Sequence, residues 1–235
     1  MDWMKFYYVR PSPERLVGEL RAVPADALAK PHVQLAFATF LGRVMAANPR
    51  RIRTWFAELA DLRGDVRDTF RIAAWMSGTA EARGCLEAVG ADATLLGAPP
   101  DILAAPVDEP AYLDMLWSWY FATGDARAVR RIVSALRFLS DYGAAGRYEA
   151  SAQTAEDAAA AVRDSLFRAA SWSLASLMAD HPPLVDLCGA LVDDPTLDGA
   201  ERLALALTLE KVDPRRWRVQ MDRATGEWHI ERSRI

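Results

Sequence analysis

The stretch Pro110–Leu139, PAYLDMLWSWYFATGDARAVRRIVSALRFL, decides the fold. It reads as two helices joined at Gly124–Asp125. Pro110 suits a first helical turn, because the N–H it lacks would be unpaired there. On a helical projection Leu113, Leu116, Trp117, Tyr120 and Phe121 share one broad arc, and Tyr112, Met115 and Trp119 lie opposite. A helix apolar almost all round is buried on more than one face. At roughly 13 residues, and with Asp114 inside it, the segment is too short and too polar to span a membrane. Gly124 ends it as a left-handed residue does, and Asp125 caps the next helix. There Val129, Ile132, Val133, Leu136 and Ser140 form one face, with Arg127, Arg130, Arg131, Ser134 and Arg137 on the other. A buried helix followed by a half-exposed one is the unit of an α-solenoid.

The unit recurs upstream. AAWMSGTAEARGCLEAV (73–89) and SWYFATGDARAVRRIVSAL (118–136) share an aromatic helix end, a glycine, a capping Thr or Asp, and an Arg-bearing amphipathic helix. Gly78 and Gly124 are 46 residues apart. WSLASLMADHPPLVDLCGALV (172–192) reads as a third copy, with Asp180 as its cap. Spacings of this size belong to stacked helix pairs. The pattern is similar to tetratricopeptide-like and related α-repeat proteins, over 31–139 and more loosely over 154–212. That family's Trp–Leu–Gly–Tyr positions and fixed period are not met. The resemblance implies a superhelix that binds other proteins or peptides in a concave groove, and it carries over no functional residue.

Outward from this centre, residues 3–9, WMKFYYV, are β-prone. Ser12 caps and Pro13 opens a helix to about Val23. Leu35, Phe37, Phe40, Leu41, Val44 and Met45 mark a buried helix, and Asn48–Pro49 starts the next. Its stripe is Ile52, Trp55, Phe56 and Leu59; Arg50, Arg51 and Arg53 stand at its start, where the helix dipole disfavours cations. Another helix begins at Gly64–Asp65. The proline-rich segment after Gly90 has room for a short helix over Asp101–Ala105, and GAAGRYEA (143–150) reads as a linker. Thr154 and Asp157 resemble a capping box for a long helix with the stripe Val162, Leu166, Ala169, Ala170, Ser173, Leu174 and Leu177. Helices over 184–191 and 200–212 follow. Trp217, Val219 and Met221, then Trp228 and Ile230 beyond a glycine-containing loop, alternate as a β-hairpin does. The expected fold is all-α: stacked antiparallel helix pairs, α-solenoid-like, with a small C-terminal β-hairpin. The expected organisation is a single helical-repeat domain over 1–235. Within it are helix pairs over 10–90, a Pro-rich acidic loop over 91–109, helices over 110–212 and the hairpin over 214–232.

A net charge of −4 produces no global field for nucleic acid or an anionic membrane. The start MDWMKFYYV lacks the pattern of a signal peptide, and no apolar run has the length of a span. A soluble cytoplasmic protein is expected. Cys85 and Cys188 fall in different helices without a CxxC; two buried free thiols fit best, and one disulfide stays open. Asp193–Asp194–Pro195–Thr196–Leu197–Asp198 has the spacing of a magnesium motif, but Pro195 and Gly199 make it a turn. His32, His181 and His229 show no ligand spacing, and no nucleophile elbow or phosphate loop occurs. No catalytic residue, cofactor or metal is therefore expected. Trp55, Trp75, Trp117, Trp119 and Trp172 fall on core-like stripes.

Between Gly84 and Ala126 there is no Lys or Arg, and Asp108 and Glu109 lie in that acidic stretch. Arg127, Arg130 and Arg131 form the cationic face that follows. These five residues are the candidate contacts for a protein or peptide partner. The expected function is a non-catalytic helical-repeat scaffold. The alternative is an all-α enzyme or small-molecule binder with an aromatic-lined pocket near Trp117 and Tyr120. Homo-oligomerisation through the terminal hairpin is a further expectation.

Overall fold

The computed structural model describes residues 2–24, 26–150 and 154–233. It is all-α with a C-terminal β-hairpin. The helices are α1 (Asp2–Lys5), α2 (Leu16–Arg21), α3 (Pro31–Ala47), α4 (Ile52–Glu58), α5 (Gly64–Ser77), α6 (Ala80–Ala88) and α7 (Ala93–Leu96). There follow α8 (Pro110–Thr123), α9 (Ala126–Val133), α10 (Ala144–Ala150), α11 (Ala155–Asp180), α12 (Pro182–Val192) and α13 (Gly199–Val212). Strands β1 (Trp217–Met221) and β2 (Trp228–Arg232) close the chain, and 3-10 turns occupy Pro13–Arg15, Pro49–Arg51 and Ser134–Asp141. Two compact units form: Met1–Pro106 with Asp114–Val129, and Val107–Leu113 with Arg130–Ile235.

In the first unit α3 is the central beam, with Phe37, Phe40, Leu41, Val44 and Met45 all buried. It lies along α5. Gln34 reaches the Asp65 carbonyl near both helix starts, and Arg43 reaches the Met76 carbonyl near both ends, so α3 and α5 run the same way. Gly42 permits the approach: a Cβ there would stand 2.9 Å from the Ala73 carbonyl oxygen. The partners α4 and α6 also touch. Successive helices α3 and α4 thus rest on successive helices α5 and α6, respectively. Gly78 joins α5 to α6 with φ +67°, and the Thr79 hydroxyl accepts the Ala82 N–H. Both junction residues act as their sequence indicates.

The β-prone start is a helix and turns, not a strand. Trp3 and Tyr7, four residues apart, turn inward and meet the Phe40 ring edge to face. Burying both rings on one side requires helical spacing, which overrides strand propensity. Trp3 Nε1 donates to the Ser12 hydroxyl, so Ser12 serves as an acceptor for Trp3 and makes no side-chain cap. The short helix of the proline-rich segment is α7, capped by Asp92. Residues 101–105 form turns held by the Asp101 carboxylate. The inner character of α8 holds, with Met115, Leu116, Trp117, Ser118 and Tyr120 buried.

In the second unit Ile132, Val133 and Leu136 are fully buried. The helix after Gly124 tightens to a 3-10 path at Ser134, whose hydroxyl bonds the Arg131 carbonyl. The GAAGRYEA segment is the helix α10, not a linker. Its start is held from outside by Asp164 of α11, which accepts the Ala145 N–H at 3.1 Å. The stripe of α11 is rotated from the expected one. Asp164, Leu166, Phe167, Ala170, Leu174 and Met178 face inward, whereas Val162 and Trp172 are exposed. Phe167 and Met178 supply the bulk that draws that face to the core. His181, not Asp180, occupies the N-cap position of α12. The capping box Thr154–Asp157 and a second one, Asp198–Glu201, open α11 and α13. Helix α13 packs on α11, α12, β1 and the 134–141 turn. In the hairpin Trp217 faces Arg232, Val219 faces Ile230 and Met221 faces Trp228.

Both cysteines are free thiols. Burial pushes the Cys188 thiol up to about 12. Among the described residues no helix is long and apolar enough to cross a membrane.

Candidate interaction surfaces

The five charged candidates occupy different settings. Arg127 is exposed and chelates the carboxylate of Asp125, at 2.7 Å from its Nη2. Hydrogen bonds from the Arg127 side chain, then from its backbone N–H, hold the Asp125 carboxyl below its usual range despite partial burial. The pair therefore doubles as the cap of α9. Arg130 is turned inward within the second unit. Its guanidinium lies 3.6 Å from Glu201 and 3.9 Å from Asp194, and it donates to the Thr196 carbonyl at 3.1 Å. Glu201 is itself nearly buried. Arg130 thus ties the end of the α9 face to the turn before α13. Arg131 is half-buried. Asp108 and Glu109 are exposed at the entry to α8.

The aspartate-rich turn is explained by backbone capping. Asp194 accepts the Thr196 N–H and hydroxyl, and Asp198 accepts the Glu201 N–H. Among the described residues no His, Cys, Asp and Glu group has a metal-holding arrangement. Trp117 and Tyr120 pack ring against ring, with centroids 6.2 Å apart, and Tyr8 covers Tyr120 at 4.9 Å. Neither ring lines a described cavity. A cavity of about 410 Å³ instead opens beside α2 and α3, lined by Met4, Val23, Leu28, Val33 and Phe37, with Glu19 at its edge. It combines side chains from three separated segments, so no local pattern marks it in the sequence.

Two further surfaces are exposed in the structure. Arg50, Arg51 and Arg53 are exposed, and among the described residues their side chains have neither an ion pair nor a hydrogen bond. No acidic residue lies in the first turn of the Pro49–Arg51 segment or of α4. Each cation near a helix start costs about 0.3–1 kcal/mol, less under salt. The other surface is on α11, where Trp172 is 71 % exposed. One turn earlier, Arg168 stacks on the exposed Tyr142 ring at 5.0 Å and pairs with Asp164.

Comparison with protein-family models, with curated proteins and with solved structures gives no match for this chain.

Proposed function

We propose that this protein is a non-catalytic helical-repeat scaffold that binds a protein or peptide partner. The supporting observation is that α3 lies along α5 while α4, which follows α3, touches α6, which follows α5. Pro31 and Gly64, which open the two pairs, are 33 residues apart. The third pair, α8–α9, follows α5–α6 after the inserted α7 segment, which accounts for the longer 46-residue interval between Gly78 and Gly124. Helix pairs repeated at such intervals bury one face on each neighbour and leave long ridges for a partner. This is the arrangement that the likeness to tetratricopeptide-like proteins implies.

The test is affinity capture from the native host with mass spectrometry, repeated with Asp108→Lys/Glu109→Lys and with Arg127→Glu. A specific partner, weakened by at least one of these exposed changes, supports the reading. Capture of nothing above an unrelated helical protein of similar size overturns it.

The cavity beside α2 and α3 favours a second reading, a binder of small apolar molecules. Its size falls within the range of ligand sites, about 300–1,000 Å³. A thermal-shift screen with aliphatic ligands tests it, with Ala36→Phe filling the groove as the control. Stabilisation that persists in Ala36→Phe overturns the assignment.

A further inference from the structure

We propose that the cavity beside α2 and α3 takes an aliphatic amine, with its chain against the apolar wall and its ammonium group on Glu19. The inference rests on the second reading above, that this cavity holds a small apolar molecule, and it names the ligand's polar end. The wall follows from helical spacing. Val33, Ala36 and Phe37 stand at i, i+3 and i+4 on one face of α3. Glu19, Ala22 and Val23 repeat that spacing at the end of α2 and in the turn after it. The two faces do not close on each other, and about 410 Å³ remains beside them. Among the described residues Glu19 is the one charged group on that wall.

The carboxylate of Glu19 is only half used. Its side chain is 28 % exposed. Oε1 accepts from Arg15, one helical turn earlier, whereas Oε2 has no hydrogen-bond partner among the described residues. Arg15 is about half exposed and does not line the cavity. Its charge is therefore shared with water, and it fixes the carboxylate without filling the space beside it. An ammonium group at the cavity's edge donates to Oε2 in a charge-assisted bond and keeps its other N–H groups in water. The alkyl chain supplies the buried apolar area. A fatty acid fits less well: it sets a second carboxylate beside Glu19, with Arg15 already engaged. An alcohol of equal length donates to the same oxygen without the charge.

The experiment is calorimetric titration of the full chain with n-octylamine, n-octanol and n-octanoate, each below its micellar concentration. The amine is expected to bind saturably, at one molecule per chain, at least about threefold more tightly than the alcohol. Octanoate is expected to bind most weakly. Lengthening the amine from hexyl to octyl is expected to tighten binding about fourfold for each methylene. Glu19→Gln is expected to abolish the preference for amine over alcohol while octanol still binds, which shows the cavity intact in that variant. Glu58→Gln removes an exposed carboxylate that does not line the cavity, and it is expected to leave the preference unchanged. Ala36→Phe is expected to weaken amine and alcohol alike. Octanoate binding as tightly as the amine, an amine preference that survives Glu19→Gln, or an equal loss in Glu58→Gln overturns the proposal, while octanol binding that Ala36→Phe removes leaves the apolar-ligand reading standing. Binding of none of the three ligands removes both.

Discussion

Gly42 and Gly84 both sit inside helices, yet opposite outcomes are expected when each becomes alanine. A glycine in a helix interior costs about 1 kcal/mol relative to alanine. Nothing lies within 4 Å of a Cβ at Gly84, so Gly84→Ala is expected to stabilise by about 0.5–1 kcal/mol. At Gly42 the added carbon meets the Ala73 carbonyl at 2.9 Å and Met76 Cβ at 3.0 Å. Two helix backbones would have to part, so Gly42→Ala is expected to cost about 1–3 kcal/mol. Urea midpoints of the two variants check the sign. Nothing adjacent in sequence separates these glycines; the difference lies in a neighbour some thirty residues away. Asp164 carries the same lesson. Periodicity places it beside a core face, but only the fold shows it fully buried. Burial pushes its carboxyl up, yet the N–H groups of Ala145 and Gly143 and the Arg168 guanidinium together bring it below the usual carboxylate range. Its folded value is depressed, so its contribution is complete above about pH 4 and is lost as pH falls through the lower folded value. Asp164→Asn is expected to cost about 1–3 kcal/mol at neutral pH and to flatten the acid limb of the stability curve. Equal slopes for both proteins between pH 5 and pH 3 would remove Asp164 from that limb.

Among the elements, the end of the α9 face and the terminal hairpin were legible as elements but not in their attachments. Val129, Ile132, Val133 and Leu136 face the core as their spacing requires, because a strong amphipathic period leaves one way to bury the apolar side. The opposite face is not simply a solvated one. Arg130 returns to the turn before α13, a contact across 66 residues that no local pattern encodes. Reversing Arg130 therefore sets a new carboxylate against the nearly buried Glu201. Arg130→Glu is expected to destabilise by about 1–3 kcal/mol, whereas Arg127→Glu mainly loosens a cap. A partner lost only with Arg130→Glu would report on folding, so thermal melts must accompany capture. The hairpin divides along one face. Trp217 is 1 % exposed, and its ring edge lies 3.1 Å from where a Cβ on Gly189 would stand. At the other end Met221 and Trp228 oppose each other and are about half exposed. Trp217→Ala is expected to cost about 3–5 kcal/mol and to raise hydrogen exchange through 217–232. Met221→Ser/Trp228→Ser is expected to leave stability nearly unchanged. It is therefore a cleaner probe of self-assembly through the hairpin than deletion of 214–235, which strips Trp217 from the core. A fall in mass by light scattering in that double variant supports hairpin-mediated assembly; an unchanged mass removes it.

At the scale of the whole molecule, the compact units do not follow the chain in order. The first unit takes Asp114–Val129 as well as Met1–Pro106, so the aromatic part of α8 belongs with the N-terminal helices. Hydrophobic patterning finds α8 because its apolar girdle is local. It does not show which helices α8 covers, because that is settled by shape and by single bonds between distant backbones. Here the Tyr8 N–H donates to the Phe121 carbonyl at 2.9 Å, and the Tyr8 ring lies against Tyr120 and within 3.3 Å of a Cβ built on Gly124. Gly124 has φ +69°, so it joins α8 to α9 and also leaves room for that ring. The α-repeat pattern would let each helix pair fold on the one before it. The bonds to Tyr8 instead require α8 to complete the first unit. Two fragments separate these accounts. The fragment 1–133 retains Asp114–Val129 and is expected to unfold in one cooperative transition without binding a hydrophobic dye. The fragment 1–106 keeps α3–α4 and α5–α6 but loses the cover over Tyr8. It is expected to bind the dye and to melt broadly, because leaving an aromatic core uncovered costs several kcal/mol, roughly the scale of deleting a large buried side chain. A fragment 1–106 that melts as sharply and at the same temperature as 1–133 would show that the two stacked pairs suffice alone, with α8 an addition to a finished core.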